Sequence, residues 1–126
     1  SKFLKIKIKG ALSINDAKKI GKSIANSPLF KTAMSGSDSN WGRIIMAVGK
    51  SRAKLDPEKL TLKFGKFIIL QKGKKLNLTY ISLINKYLKQ SEIEITVDLG
   101  IGVYEWSTWT CDFTKEYVSI NTDYRS

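Results

Sequence analysis

Glu92-Ile93-Glu94-Ile95-Thr96-Val97-Asp98 alternates polar and apolar residues without a break. Side chains on a strand point to opposite faces with a period of two, so Ile93, Ile95 and Val97 fall inward and Glu92, Glu94 and Asp98 outward. Lys5-Ile6-Lys7-Ile8-Lys9 repeats the pattern near the other end of the chain, with isoleucines on one face, lysines in solvent and Gly10 closing the run. Leu99-Gly100-Ile101-Gly102 then turns the first of these strands into another, Val103 to Cys111. Its Trp106 and Trp109 lie three apart and therefore on opposite sides, which predicts that both faces of that strand are covered.

Between these strands the apolar spacing changes to the helical period. Ala17, Ile20, Gly21, Ile24 and Ala25 recur at helical intervals behind Ser13 and Asp16, a capping box with Asp in place of Glu. The reading is a helix from Ile14 to Asn26, ended by Ser27-Pro28, with Lys18, Lys19 and Lys22 on its other face. Lys31 to Ser35 reads as a short strand that leads into the turn and capping residues Gly36-Ser37-Asp38-Ser39-Asn40. Trp41-Gly42-Arg43 opens a second helix, Ile44-Ile45-Met46-Ala47-Val48, stopped by Gly49.

Leu60 to Phe64 and Phe67 to Leu70 read as a hairpin around Gly65-Lys66, followed by the basic turn Gly73-Lys74-Lys75. Tyr80, Ile81, Leu83, Ile84, Tyr87 and Leu88 supply the apolar stripe of a third helix from Leu78 to Lys89, read as core. Tyr117 to Asn121 is a last short strand. Strands and helices mix without a clean βαβ alternation, so the fold class is α+β, a mixed sheet with about three helices and an open strand order.

Composition bounds the chemistry. The 126 residues are 42% hydrophobic with only 2 Pro and 9 Gly, which describes a single domain over residues 1–126. A chain of this size hides roughly two-thirds of its unfolded surface, enough for a core without disulfides or metal. With no His, a Ser-His-Asp triad, a Cys-His pair or an imidazole-dependent zinc site is excluded within it. The single Cys111 cannot form an internal disulfide, which fits a reducing cytoplasmic setting, and it reads as a buried small apolar residue. No apolar run approaches the ~18–20 residues of a membrane helix. The first residue is Ser1 rather than Met, which predicts a chain cut from something longer.

The net charge is +11, and 14 of the 22 basic but only 4 of the 11 acidic residues lie in residues 1–63. Such asymmetry raises the prospect of nucleic acid or another anionic partner. A single-strand binder stacks bases on aromatic rings beside its cations. Here the lysines cluster before residue 75 while Trp106 and Trp109 lie in the nearly neutral half, and Phe64, Phe67, Tyr80 and Tyr87 occupy core positions. On residue types alone, then, the chain is a basic domain with no catalytic constellation.

Longer strings carry more. Ser27-Pro28-Leu29 through Lys31-Thr32-Ala33, Gly36 through Ile44, Val97-Asp98-Leu99-Gly100, Cys111-Asp112-Phe113-Thr114, Tyr117-Val118 and Ile120 through Ser126 occur in that order. Together they resemble the C-terminal third of the ornithine acetyltransferase family, the bifunctional glutamate N-acetyltransferases of arginine biosynthesis. The resemblance runs from Lys2 to the last residue. It implies the C-terminal part of a β chain, produced when a precursor cleaves itself ahead of a threonine that becomes the nucleophile, with its own amino group as base.

That arrangement needs no histidine. The resemblance further implies acetyl transfer from N-acetylornithine to the enzyme and then to glutamate, with no cofactor, in a cytoplasmic heterotetramer of two α and two β chains. Some members also accept acetyl-CoA. The nucleophile, the oxyanion-hole residues of the α chain and a substrate-binding glutamate just before Ser1 would all lie outside this sequence. What carries over is the tail, where Asn121 and Ser126 match the family's substrate-contacting Asn and terminal hydroxyl. Ser126 stands where the family usually ends in Thr. Asn40-Trp41-Gly42-Arg43 matches a family block with no role to carry over, and is expected to shape a helix start or a subunit contact. The alternatives are a related self-processing aminopeptidase and a basic nucleic-acid-binding module.

Overall fold

In the computed structural model, which describes residues 1–76 and 79–112, the alternating strands form the middle of a six-stranded mixed sheet. In chain order the elements are β1 (Phe3–Ala11), α1 (Ile14–Ala25), α2 (Pro28–Ser35), α3 (Gly42–Lys50), a 3-10 turn (Pro57–Lys59), β2 (Thr61–Phe64), β3 (Phe67–Gln71), β4 (Lys74–Lys75), α4 (Ile81–Leu88), β5 (Glu92–Asp98) and β6 (Tyr104–Cys111). The sheet order is β4-β3-β2-β5-β1-β6. Among the described residues only β1 and β5 run parallel, with Ile6 beside Ile95 and Ile8 beside Val97, and the other neighbouring pairs are antiparallel.

The register puts all the inward residues on one face. Leu4, Ile6 and Ile8 of β1, Ile93, Ile95 and Val97 of β5 and Leu62 and Phe64 of β2 are buried there together with Ile20, Ile24, Phe30, Met34, Ile44, Ile84 and Leu88 of the helices. The helix α1 lies across β1 and β6, and α3 and α2 pack against it. Gly21 lets α1 come this close: a methyl group there would stand 2.6 Å from Cζ3 of Trp106, which is half-buried beneath the helix.

Among the described residues there are four α-helices where about three were expected, because α2 replaces the expected strand over Lys31 to Ser35. Ser27 accepts the Phe30 N–H at its Oγ (3.2 Å), and Pro28 stands in the first turn, where its missing N–H costs nothing. Ser27-Pro28 therefore ends α1 and starts α2 at once, and Phe30, Ala33 and Met34 are buried at helical spacing. Gly49 does not stop α3, which continues to Lys50. The left-handed residue that ends it is Arg52, at φ 60°.

The third expected helix is shorter than Leu78 to Lys89. It begins at Ile81, and only Ile84 and Leu88 of its stripe are fully buried, while Ile81 and Leu83 are exposed. The expected strand Tyr117 to Asn121 lies outside the described residues.

The opposite face of the sheet carries Phe3, Lys5, Lys7 and Lys9 of β1 beside Glu92, Glu94, Thr96 and Asp98 of β5. The three lysines are half-buried rather than free in solvent, because β1 is flanked on both sides and their stems lie along neighbouring strands. Trp109 stands on this face, 53% exposed, so coverage of both faces of β6 holds for Trp106 and not for Trp109. Among the described residues, no helix is long and apolar enough to cross a membrane.

Candidate functional site

Asn121 and Ser126, the residues expected to meet substrate, lie outside the described residues. What is described is the place from which their segment departs. At the edge of the sheet among the described residues, β6 ends at Cys111, whose side chain is exposed rather than buried, since its register beside Phe3 puts it on the face opposite the core. Asp112 follows. Its N–H donates to the Lys2 carbonyl at 3.2 Å, and its Oδ1 accepts the Lys2 N–H, closing the β1/β6 ladder with a side chain. Its Oδ2 accepts from Ser35 Oγ at 3.0 Å.

The Lys2 side chain turns the other way. Its ammonium donates to the Met34 carbonyl, the Leu88 carbonyl and Ser37 Oγ, each at 2.6 Å, and Ser37 Oγ also donates to the Leu88 carbonyl at 3.2 Å. Met34 and Leu88 stand in the last turns of α2 and α4, so one cation serves the carbonyl ends of two helices, where positive charge is favoured. Burial pulls the Lys2 pKa below its usual value, and the Asp112 charge opposes that shift. With all its donors engaged, this lysine is a brace rather than a base.

The block Asn40-Trp41-Gly42-Arg43 proves to shape a helix start. Asp38 Oδ1 accepts the Asn40 N–H at 3.0 Å, and Asn40 Oδ1 accepts the Gly42 N–H at 3.1 Å, a relay of side-chain acceptors that delivers the chain into α3. Arg43 then donates from Nη1 to the Leu29 carbonyl at 2.9 Å, tying α3 to the first turn of α2. Val97 to Gly100 is explained in the same way. Leu99 N–H donates to the Lys9 carbonyl (2.9 Å) and Ile101 N–H to the Gly10 carbonyl (3.0 Å), while Gly10, at φ 68°, packs its Cα directly against Asp98 and Gly100.

Cations and aromatics that are far apart in sequence do meet in space: Lys5 Nζ lies 5.7 Å from the Trp109 ring centroid. A shallow groove lined by Phe3, Lys5, Tyr87, Glu94 and Trp109 runs beside them. The face is not a basic stripe, however, because Lys5 pairs in register with Glu94 and Lys9 with Asp98. Among the described residues, no group of three or more His, Cys, Asp or Glu is placed to hold a metal ion.

Comparison with known proteins gives this geometry its context. The ArgJ family model matches residues 1–126. The chain belongs to the ArgJ family. ArgJ relatives include the arginine biosynthesis bifunctional protein ArgJ of Brucella suis, 46% identical over 125 residues, and that of Zymomonas mobilis, 45% identical over 126 residues. These alignments cover 99% and 100% of this chain but 30% and 31% of the two relatives, so the chain spans under a third of their length. The crystal structure of ArgJ from Bacillus halodurans superposes with a TM-score of 0.91 at 33% identity, over 98% of this chain and 58% of that one. The mixed α+β sheet is thus the ArgJ fold. Lys2, Ser35 and Asp112 form a polar cluster that strand and helix periodicity does not single out; the one sequence signal was the family string Cys111-Asp112-Phe113-Thr114.

Proposed function

We propose that this chain forms the C-terminal part of the β chain of a self-processing ornithine acetyltransferase. It moves an acetyl group from N-acetylornithine to glutamate through an acetyl-threonine formed outside this segment. The observation that carries the reading is the match of the ArgJ family model to residues 1–126, together with 45–46% identity to proteins named for arginine biosynthesis. The C-terminal tail supplies Asn121 and Ser126 as substrate contacts. An Asn amide offers both a donor and an acceptor to an amino-acid substrate, and a serine hydroxyl does the same at smaller size. The remaining parts are the α chain and the rest of the β chain, in a cytoplasmic α2β2 assembly that needs no cofactor.

The test uses the complete protein and the 126-residue chain side by side. Incubated with N-acetylornithine and glutamate, the complete processed protein should release ornithine and N-acetylglutamate, and the chain alone should release neither. Transfer by the chain alone would put the nucleophile inside it and overturn the reading, as would absence of transfer by the processed protein. In the complete enzyme, Asn121→Ala or removal of Ser126 should raise KM with kcat largely kept. Unchanged kinetics would take both residues out of the site. Replacing N-acetylornithine by acetyl-CoA in the same assay shows whether the enzyme is bifunctional.

A further inference from the structure

A cavity of about 180 Å³ opens between the C-terminal end of α1, the first turn of α2 and one face of α3. The α3 side is Arg43, Met46, Ala47 and Lys50, which recur at helical spacing, so a cation stands at each end of the wall with the small Ala47 between them. The polar lining can be accounted for group by group. Ser23 donates its hydroxyl to the Ala47 carbonyl, Ser27 Oγ accepts the Phe30 N–H, and the Leu29 carbonyl accepts from Arg43 Nη1 at 2.9 Å. What remains is the rest of the Arg43 fork, the Lys50 ammonium and the Asn26 amide, none of which has a further partner among the described residues. All three can donate, two are charged, and among the described residues no carboxylate lines the cavity.

The surrounding layer does not supply the missing negative charge. Residues 14–50, from α1 to α3, hold 6 Lys or Arg against 2 acids. Asp16 stands in the first turn of α1, at the end away from Asn26, and Asp38 accepts the Asn40 N–H. On the sheet, by contrast, the lysines of β1 stand beside carboxylates of β5. The helical layer therefore keeps a positive field, and a concavity focuses such a field on whatever anion enters it. The Leu29 carbonyl also holds the Arg43 guanidinium in place, so its other donors are presented without the cost of ordering a free side chain. A planar fork of this kind matches two oxygens of a carboxylate or phosphate.

We propose that this cavity is a binding site for a small oxyanion, a phosphate or a carboxylate, held by Arg43 and Lys50 with the Asn26 amide as a neutral donor. The assignment does not depend on the acetyl-transfer reading.

Isothermal titration calorimetry of the complete protein at low ionic strength, with inorganic phosphate and with acetate in separate titrations, tests this. At least one of the two should saturate, with a Kd of about 1 mM. Tighter binding of phosphate marks a phosphate group as the occupant, and tighter binding of acetate a carboxylate. Arg43→Gln should raise the Kd about tenfold, since it removes the charged fork, and the more exposed Lys50→Gln about threefold. Lys18→Gln removes the same unit of charge from α1 outside the cavity and should change the Kd by less than about 1.5-fold. Saturation by neither anion would overturn the site, as would saturation that neither Arg43→Gln nor Lys50→Gln weakens, which places the anion elsewhere. Equal weakening by Lys50→Gln and Lys18→Gln would also overturn it, because only a diffuse field would then be left. Where Arg43→Gln fails to fold, Lys50→Gln against Lys18→Gln decides.

Discussion

Lys5 of β1 and Glu94 of β5 stand opposite each other in the parallel ladder, Nζ 4.0 Å from Oε1, with the Trp109 ring on the far side of the lysine. One residue comes from the strongly basic half of the sequence and the other from the nearly neutral half. Their pairing, repeated by Lys9 beside Asp98, breaks up the basic face that a reading of the first sixty residues suggests.

Both partners keep over a third of their side-chain surface in water, at 38% and 43%, so solvent screens the pair. Glu94→Gln should change the unfolding free energy by less than about 1 kcal/mol in urea titrations. A larger loss would show that the face is covered and the pair desolvated under the conditions used.

Gly21 and Trp106 give a steric prediction. Gly21→Ala should destabilise the fold by roughly 1–3 kcal/mol, because its methyl group meets the indole at 2.6 Å and neither helix nor strand can retreat freely. Trp106→Leu should make the alanine tolerable. A Gly21→Ala protein with an undiminished melting temperature would mean that α1 does not seat on Trp106 as described.

Ile95 sits on the central strand β5, fully buried between β1 and β2. Ile95→Ala should cost about 2–5 kcal/mol, the range for a large-to-small change in a core that cannot collapse around it. Thr96→Ala, one residue on but on the opposite face, should cost far less. Equal losses in the two variants, measured by urea unfolding, would contradict the register.

The pH dependence of stability should carry a signature of Lys2. Its folded pKa lies below the ordinary 10.5, burial lowering it more than Asp112 raises it. Between the two values the unfolded chain binds more protons than the folded one, so the Lys2 contribution to stability rises with pH there and is flat below the folded value. Urea midpoints from about pH 7 to about pH 10 should therefore shift in favour of the native protein relative to Lys2→Met. A relative shift the other way would mean that the three hydrogen bonds, and not burial, govern the ammonium.

Much of this architecture can be read from the chain, and the failures have identifiable causes. Glu92 to Asp98 and Lys5 to Lys9 read correctly because alternation over five or more residues has one structural solution. Ser13 caps α1 as expected, accepting the Asp16 N–H at 3.0 Å. The segment Lys31 to Ser35 misleads because five mixed residues have no decisive period, and the evidence for a helix lies upstream in Ser27-Pro28, which also reads as a stop. Cys111 misleads because burial depends on which face of the sheet the strand register assigns to a residue, and beside Phe3 it falls on the face opposite the core.

By itself, the sequence determined the alternating strands, the amphipathic α1, the exclusion of histidine chemistry and the resemblance to one enzyme family, since each of these is carried by local spacing or by strings in order. Tertiary structure alone decided that β1 lies between β5 and β6. That placement sets Lys5 against Glu94 and Trp109, and brings Lys2 within reach of Asp112 and the ends of α2 and α4. Strand order is chosen by which apolar faces bury together most completely, and polar partners separated by some 90 to 110 residues meet only once that choice is made.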